Sequence, residues 1–338
     1  MKLLNYISFI FLLFSLTSCS YFYGDKHNVA EEGHLFIYPN ASYEQVLDSL
    51  KPLLKNVEQF DIVAKSQGLD ENVKAGKYLI STNETNKELA LKLLNGKEEE
   101  VKVRIQNSPT IFHMARDVAK HLYSDSTEIV NAILESPKFK EKGLDLETSK
   151  IYFIPNTYFF RWITSGEGFV DRMIIEHDKF WNDDRRQKLE KSGMSELEVY
   201  TLASIVQMEA SKADEQPKVA QAYLNRLKEG RKLEADPTSV YAYKLENGFD
   251  EKIQRVYHKH LLTASAYNTY QVTGLPPAPI TLPNGTAIDA VLSPEPHDYI
   301  FFCADPDRPG YHSFTSSYSE HLKNAAKYRQ WLKENNIN

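Results

Sequence analysis

Two cysteines in 338 residues, Cys19 and Cys303, are too few for a disulfide framework or a thiolate zinc cluster. Glycine (14) and proline (15) are also sparse, which excludes low-complexity and collagen-like segments. An excess of positive charge is missing. With 40 basic and 46 acidic residues the net charge is −6, so there is no electrostatic case for nucleic acid as a partner. Beyond the first two dozen residues no apolar run is long enough to cross a bilayer, which excludes a polytopic membrane protein. What remains is an ordinary globular composition, 42% hydrophobic and 25% charged. The length suits two or three units of ~100–200 residues each.

The N terminus carries its own signal. After Met1-Lys2 the chain is uncharged from Leu3 to Gly24, with a compact apolar stretch from Ile7 to Leu16. Leu16-Thr17-Ser18-Cys19 follows, a branched apolar residue three before a cysteine that is preceded by a small one. This resembles a lipoprotein cleavage site, with Cys19 as the lipidation candidate. The alternative is an uncleaved signal anchor, since the run just spans ~30 Å of hydrocarbon. Either way residues after about 25 are expected outside the cytoplasm, fixed to the cell membrane.

The rest reads as an α+β protein. Residues 1–24 form the signal or anchor, 25–33 a tether, 34–100 a small β-α-α-β unit with an extra helix, 101–190 a mixed linking region, and 191–338 the region richest in chemistry. Strands are expected at His34–Tyr38, Lys77–Ile80, Val101–Ile105 and, interrupted by Pro155, Ile151–Phe160. One long helix is expected over Gly166–Lys191. No internal repeat is visible.

Ser195-Glu196-Leu197-Glu198 is a capping box opening a helix with an apolar stripe at Leu202, Ile205 and Val206. Glu209 falls seven, four and three residues after these, on the same face. A carboxylate there is costly unless paired or protonated. The competing reading turns Glu209 to solvent at a frayed helix end, or toward Arg226 or Arg231. Pro217 suits the first turn of a second helix that ends at Gly230 and brings Tyr223, Asn225 and Arg226 back toward the first. In Leu233-Glu234-Ala235-Asp236-Pro237-Thr238, Asp236 or Thr238 can cap a short helix from Ser239 to Leu245.

Four strings then fall into order: Ala203 to Leu227 (ASIVQMEASKADEQPKVAQAYLNRL), Tyr267-Asn268-Thr269-Tyr270, Gly274-Leu275-Pro276-Pro277 and His312-Ser313-Phe314-Thr315. Together with Leu233–Thr238 they resemble the endolytic murein (peptidoglycan) transglycosylase family, the YceG-like proteins, across nearly all of the chain after the tether. Ala75-Gly76-Lys77-Tyr78 and Leu94-Asn95-Gly96-Lys97 look like that family's LysM-like subdomain, followed by a mixed α/β catalytic domain. The resemblance implies a lyase that cleaves MurNAc–GlcNAc bonds of nascent glycan strands, leaves 1,6-anhydro-MurNAc ends and limits strand length. Glu209 is then acid and base in turn. Asp236 is a candidate support for the developing positive charge, or a second carboxylate. Asn225, Thr238, Tyr267, Asn268, Thr269 and His312 are glycan-binding candidates. Partners would be glycan strands, the cell membrane and peptidoglycan synthases, with no cofactor or metal. The other reading is a non-catalytic peptidoglycan-binding or synthase-associated scaffold. It draws on departures from the family: Asn107-Ser108 in place of an acidic-glycine pair, Lys150-Ile151 in place of Glu-Gly, and Pro155-Asn156-Thr157 in place of Pro-Asp-Thr.

The remaining features read as structural. His258-Lys259-His260 has strand-like spacing but no carboxylate motif beside it. Cys303 reads as a strand thiol, and Asp305 and Asp307 flank Pro306 in a turn. A final helix opened by Ser317 places Leu322, Ala325 and Leu332 on one packing face.

Overall fold

The computed structural model describes residues 21–253 and 255–335. The apolar segment and Cys19 lie outside them. Among the described residues no helix is long and apolar enough to cross a membrane. The chain divides into two compact units, and the expected linking region contributes to both.

The first unit comprises residues up to 103 together with 119–124 and 158–165. Strands β1 (Gly33–Ile37) and β2 (Gly76–Ile80) pair antiparallel, with Leu35 opposite Tyr78. Helices α1 (Tyr43–Leu50) and α2 (Val57–Ser66) lie between them in sequence, and α3 (Asn86–Asn95) follows. Ser42 and Thr85 close capping boxes at α1 and α3, while Gly96 ends α3 in the left-handed region at φ 64°. The inward residues of each element, Leu35, Ile37, Val46, Leu50, Phe60, Tyr78, Ile80, Leu89 and Leu93, share one core.

The second unit holds most of the helices. Strand β3 (Glu100–Ile105) pairs with β4 (Asn156–Arg161), each passing from one unit to the other. The helices are α4 (Ile111–Ala119), α5 (Ser126–Glu135), α6 (Pro137–Glu141), α7 (Gly166–Phe180), α8 (Asp183–Ser192), α9 (Glu196–Glu209) and α10 (Gln216–Lys228). They continue with α11 (Asp236–Asn247), α12 (His258–Leu261) and α13 (Gly285–Leu292). The hairpin β5 (Phe301–Ala304) and β6 (His312–Thr315) precedes α14 (Tyr318–Glu334). Helix α9 is the centre: Val199 to Val206 are buried without interruption, and α10, α11 and α13 pack around it.

Four expectations are corrected. The helix expected over 166–191 is two helices, because Trp181 turns into the core and the Asn182 side chain caps a new start on Arg185 N–H. Residues 148–152 form a 3₁₀ turn and the strand begins only at Asn156. His258–His260 is helical, with His260 buried. The final helix has no buried residue, and Leu322 is 47% exposed.

Candidate active site

Glu209 is the last residue of α9, and the chain turns immediately after it. The turn is held from both sides: Ala210 N–H donates to Val206 at 2.8 Å, and Gln216 Nε2 donates to the Ala210 carbonyl at 3.1 Å. The half-buried side chain enters a cleft of about 610 Å³ shared with Tyr223, Arg226, Asp236, Tyr270 and His312. Burial is the main cause that pushes the Glu209 carboxyl up to about 7, the Asp236 charge adds to it, and a hydrogen bond with the Tyr223 hydroxyl opposes it. Its place at the negative end of a helix acts in the raising direction too. The site thus holds a carboxylic acid that keeps its proton near neutrality.

Asp236 does not cap a helix. It is the first residue of α11, its helix begins three residues earlier than expected, and no side chain caps the start. Its Oδ1 accepts from the Tyr270 hydroxyl at 2.7 Å. That hydroxyl is pushed far above its ordinary range by burial first and by this bond second, so it stays a donor.

Five of the glycan-binding candidates, Asn225, Thr238, Tyr267, Asn268 and Thr269, are not among the residues lining this cleft, and their polar atoms engage protein partners. Asn225 Nδ2 donates to the carbonyls of His297 and Tyr299, and its Oδ1 accepts from Gln221. Asn268 is fully buried and donates to the carbonyls of Leu261 and Thr263. The Thr238 and Thr269 hydroxyls meet at 2.7 Å, and Thr269 also receives the Ala235 N–H. This pair fixes the Leu233–Asp236 segment, where Glu234 adopts φ 51°, and thereby aims Asp236 and Tyr270 at each other. Tyr267 is buried and its hydroxyl faces Glu147. Glu209, Asp236 and His312 are the candidates brought together.

Arg226 is a strut of the same cleft, donating to the carbonyls of Ile300 and Leu233 at 2.7 Å each and to Glu234 at 3.1 Å. Tyr270 was legible only as part of a string, and Glu215 carried no sequence signal beyond its place beside Gln216. Lys150 is wholly buried, with Nζ donating to Glu147 at 2.7 Å and to Tyr241 and the Pro279 carbonyl at 2.9 Å. Asn107, Asn156 and Thr157 line a separate polar recess with Arg104 and Asn284.

The model of the YceG-like family matches residues 35–327. The chain belongs to the YceG-like family. Among curated relatives, the endolytic murein transglycosylase of Bacillus subtilis is 31% identical over 177 residues, 52% of this chain and 47% of that protein. The endolytic murein transglycosylase of Streptococcus pneumoniae D39 is 25% identical over 198 residues, 58% of this chain and 35% of that protein. The chain therefore matches less than half the length of these relatives. The crystal structure of a yceG-like protein from Listeria monocytogenes superposes with a TM-score of 0.54 at 25% identity, covering 87% of this chain and 99% of that one. The matched residues 35–327 of this chain include every cleft residue named above.

Proposed function

We propose that this chain is an endolytic peptidoglycan lytic transglycosylase that cuts MurNAc–GlcNAc bonds of nascent strands and so ends their elongation. The observation that carries the reading is the Glu209 carboxyl, held protonated to about 7 at the edge of a cleft. Breaking a glycosidic bond needs a proton on the departing alkoxide, and a buried carboxyl supplies one at neutral pH. Glu209 gives its proton to the glycosidic oxygen as the C1–O bond breaks. The carboxylate left behind takes the proton of the C6 hydroxyl on the same MurNAc, and O6 closes on C1. The acid is regenerated, no water is consumed, and the new end is 1,6-anhydro. Asp236, fixed by Tyr270, supports the positive charge that develops at C1. Mass analysis of products from the purified full chain on uncrosslinked strands tests this. Anhydro ends, lighter by one water than reducing ends, are expected; reducing ends mean a hydrolase, and intact strands favour the scaffold reading.

The first unit is proposed to be LysM-like and to grip the strand. Phe36, Tyr38 and Tyr123 surround Trp162 at ring separations of 5.0–5.5 Å, and the first three are 40–54% exposed. Exposed rings offer apolar faces to the C–H side of a sugar. A groove of about 520 Å³ with Asn40, Gln45, Asp48 and Ser49 continues from Tyr38 and supplies hydrogen-bonding groups for hydroxyls. Trp162→Ala is expected to weaken strand binding about fivefold or more in co-sedimentation with insoluble peptidoglycan, with Glu209 chemistry retained. Unchanged sedimentation removes this role.

The catalytic unit is proposed to work outside the cytoplasm, tethered to the cell membrane beside peptidoglycan synthases, on the strength of the apolar segment ending in Leu16-Thr17-Ser18-Cys19. Cys19→Ala is expected to abolish lipid labelling and leave an unprocessed precursor. A mature protein that retains Met1, with no lipid label in the wild type, identifies the segment as a transmembrane anchor.

A further inference from the structure

Glu215 stands at the start of α10, where the free N–H groups of the first turn favour an anion, and its side chain is only 5% exposed. Neither of its oxygens reaches solvent unpartnered. Oε1 accepts the main-chain N–H of His312 at 2.7 Å and Oε2 lies 2.8 Å from His312 Nδ1. A carboxylate only accepts, so Nδ1 carries the proton, and in the neutral ring Nε2 carries the lone pair. The ring is wedged edge-on against Phe302 at 5.4 Å and Phe314 at 6.3 Å, which leaves it one orientation. His312 lines the same cleft as Glu209, and among the described residues no side chain hydrogen-bonds its Nε2.

We propose that Glu215 is a positioning residue that sets the tautomer of His312, so that Nε2 accepts a hydrogen bond from a saccharide hydroxyl bound in the cleft. The inference rests on the glycan-cleaving reading above and adds to it the chemistry of one subsite: an acceptor that selects a hydroxyl and rejects a carbonyl or ether oxygen at that place. Two donors on two oxygens suit a glutamate at this place. Glutamine has one accepting oxygen. With that oxygen on the His312 N–H, its amide N–H faces Nδ1, the proton moves to Nε2, and the acceptor in the cleft becomes a donor.

The test uses the full chain labelled with ¹⁵N-histidine, with the His312 signal identified by its loss in His312→Ala. The wild type is expected to show a protonated Nδ1 and an unprotonated Nε2, and Glu215→Gln the reverse. Affinity for uncrosslinked strands is read by calorimetry in a Glu209→Gln background, so binding is measured independently of cleavage. Glu215→Gln and His312→Ala are each expected to weaken it roughly 5–10-fold, the scale of one hydrogen bond, and the pair together no further. His312→Gln, whose amide reaches the former place of Nε2, is expected to recover part of the loss and serves if Glu215→Gln fails to fold. A wild-type Nε2–H tautomer, or undiminished affinity in His312→Ala, overturns the proposal. Strands that bind as expected but are never cut by the wild type leave this subsite standing and remove the catalytic reading instead.

Discussion

Glu209→Gln is expected to lower strand cleavage by ~10²–10⁴-fold, the usual range for a general acid, and toward the upper end because one group serves as acid and base. The amide keeps the size of the side chain and its reach to Tyr223 but has no proton to give. Wild-type activity on free enzyme is expected to fall as pH rises through about 7, where the acid loses its proton before substrate binds. The same substitution has a signature in stability. The folded carboxyl holds its proton to about 7 against 4.5 ordinarily, so the native state binds more protons than the unfolded chain between these values. Wild-type stability therefore drops across that window relative to the glutamine variant. The variant is expected to be more stable by on the order of 1–3 kcal/mol above pH 7, at ~1.4 kcal/mol per pKa unit, and equal to wild type below pH 4.5. Urea unfolding at pH 4 and pH 8 reads the difference. Undiminished anhydro products from the variant would place the acid on another residue.

The second large effect is expected far from the cleft chemistry. Lys150→Met fills the same space but leaves Glu147, the Tyr241 hydroxyl and the Pro279 carbonyl without their cation. Breaking a buried ion pair typically costs ~3–5 kcal/mol. The lower end applies here, since Glu147 is 34% exposed and regains some water. Burial already pushes the Lys150 ammonium down from its ordinary range, against the pull of Glu147. Removing both charges in Lys150→Met with Glu147→Gln is expected to restore much of the loss. Chemical unfolding midpoints measure both. Because Tyr241 sits in α11, whose first residue is Asp236, the single variant should also loosen that wall of the cleft.

The helix that carries Glu209 was legible because a capping box and an apolar stripe are local signals: α9 opens at the expected Ser195 cap, and α10 begins and ends within two residues of expectation. The pair Thr238 and Thr269 shows where such reading stops. Their residue types suit sugar hydroxyls, yet 31 positions apart in the chain they bond each other and have no surface left. Lys150 is the same lesson in reverse: a lone lysine reads as surface until its three partners, two of them from residues 241 and 279, close around it. His312 was legible as a candidate, but its carboxylate partner lies 97 positions away and no local pattern links the two. The break at Asn182 was missed because polar helix formers continue on both sides, and only the burial of Trp181 forces the turn.

The closing helix α14 carries no buried residue, although it lies along β5 and β6 and contributes Tyr318, His321 and Tyr328 to the cleft. An element with so little apolar burial detaches locally at a fraction of the free energy that unfolds the unit. That side of the cleft is therefore held by half-buried contacts, such as the stacking of Phe301 on His321, and not by a core.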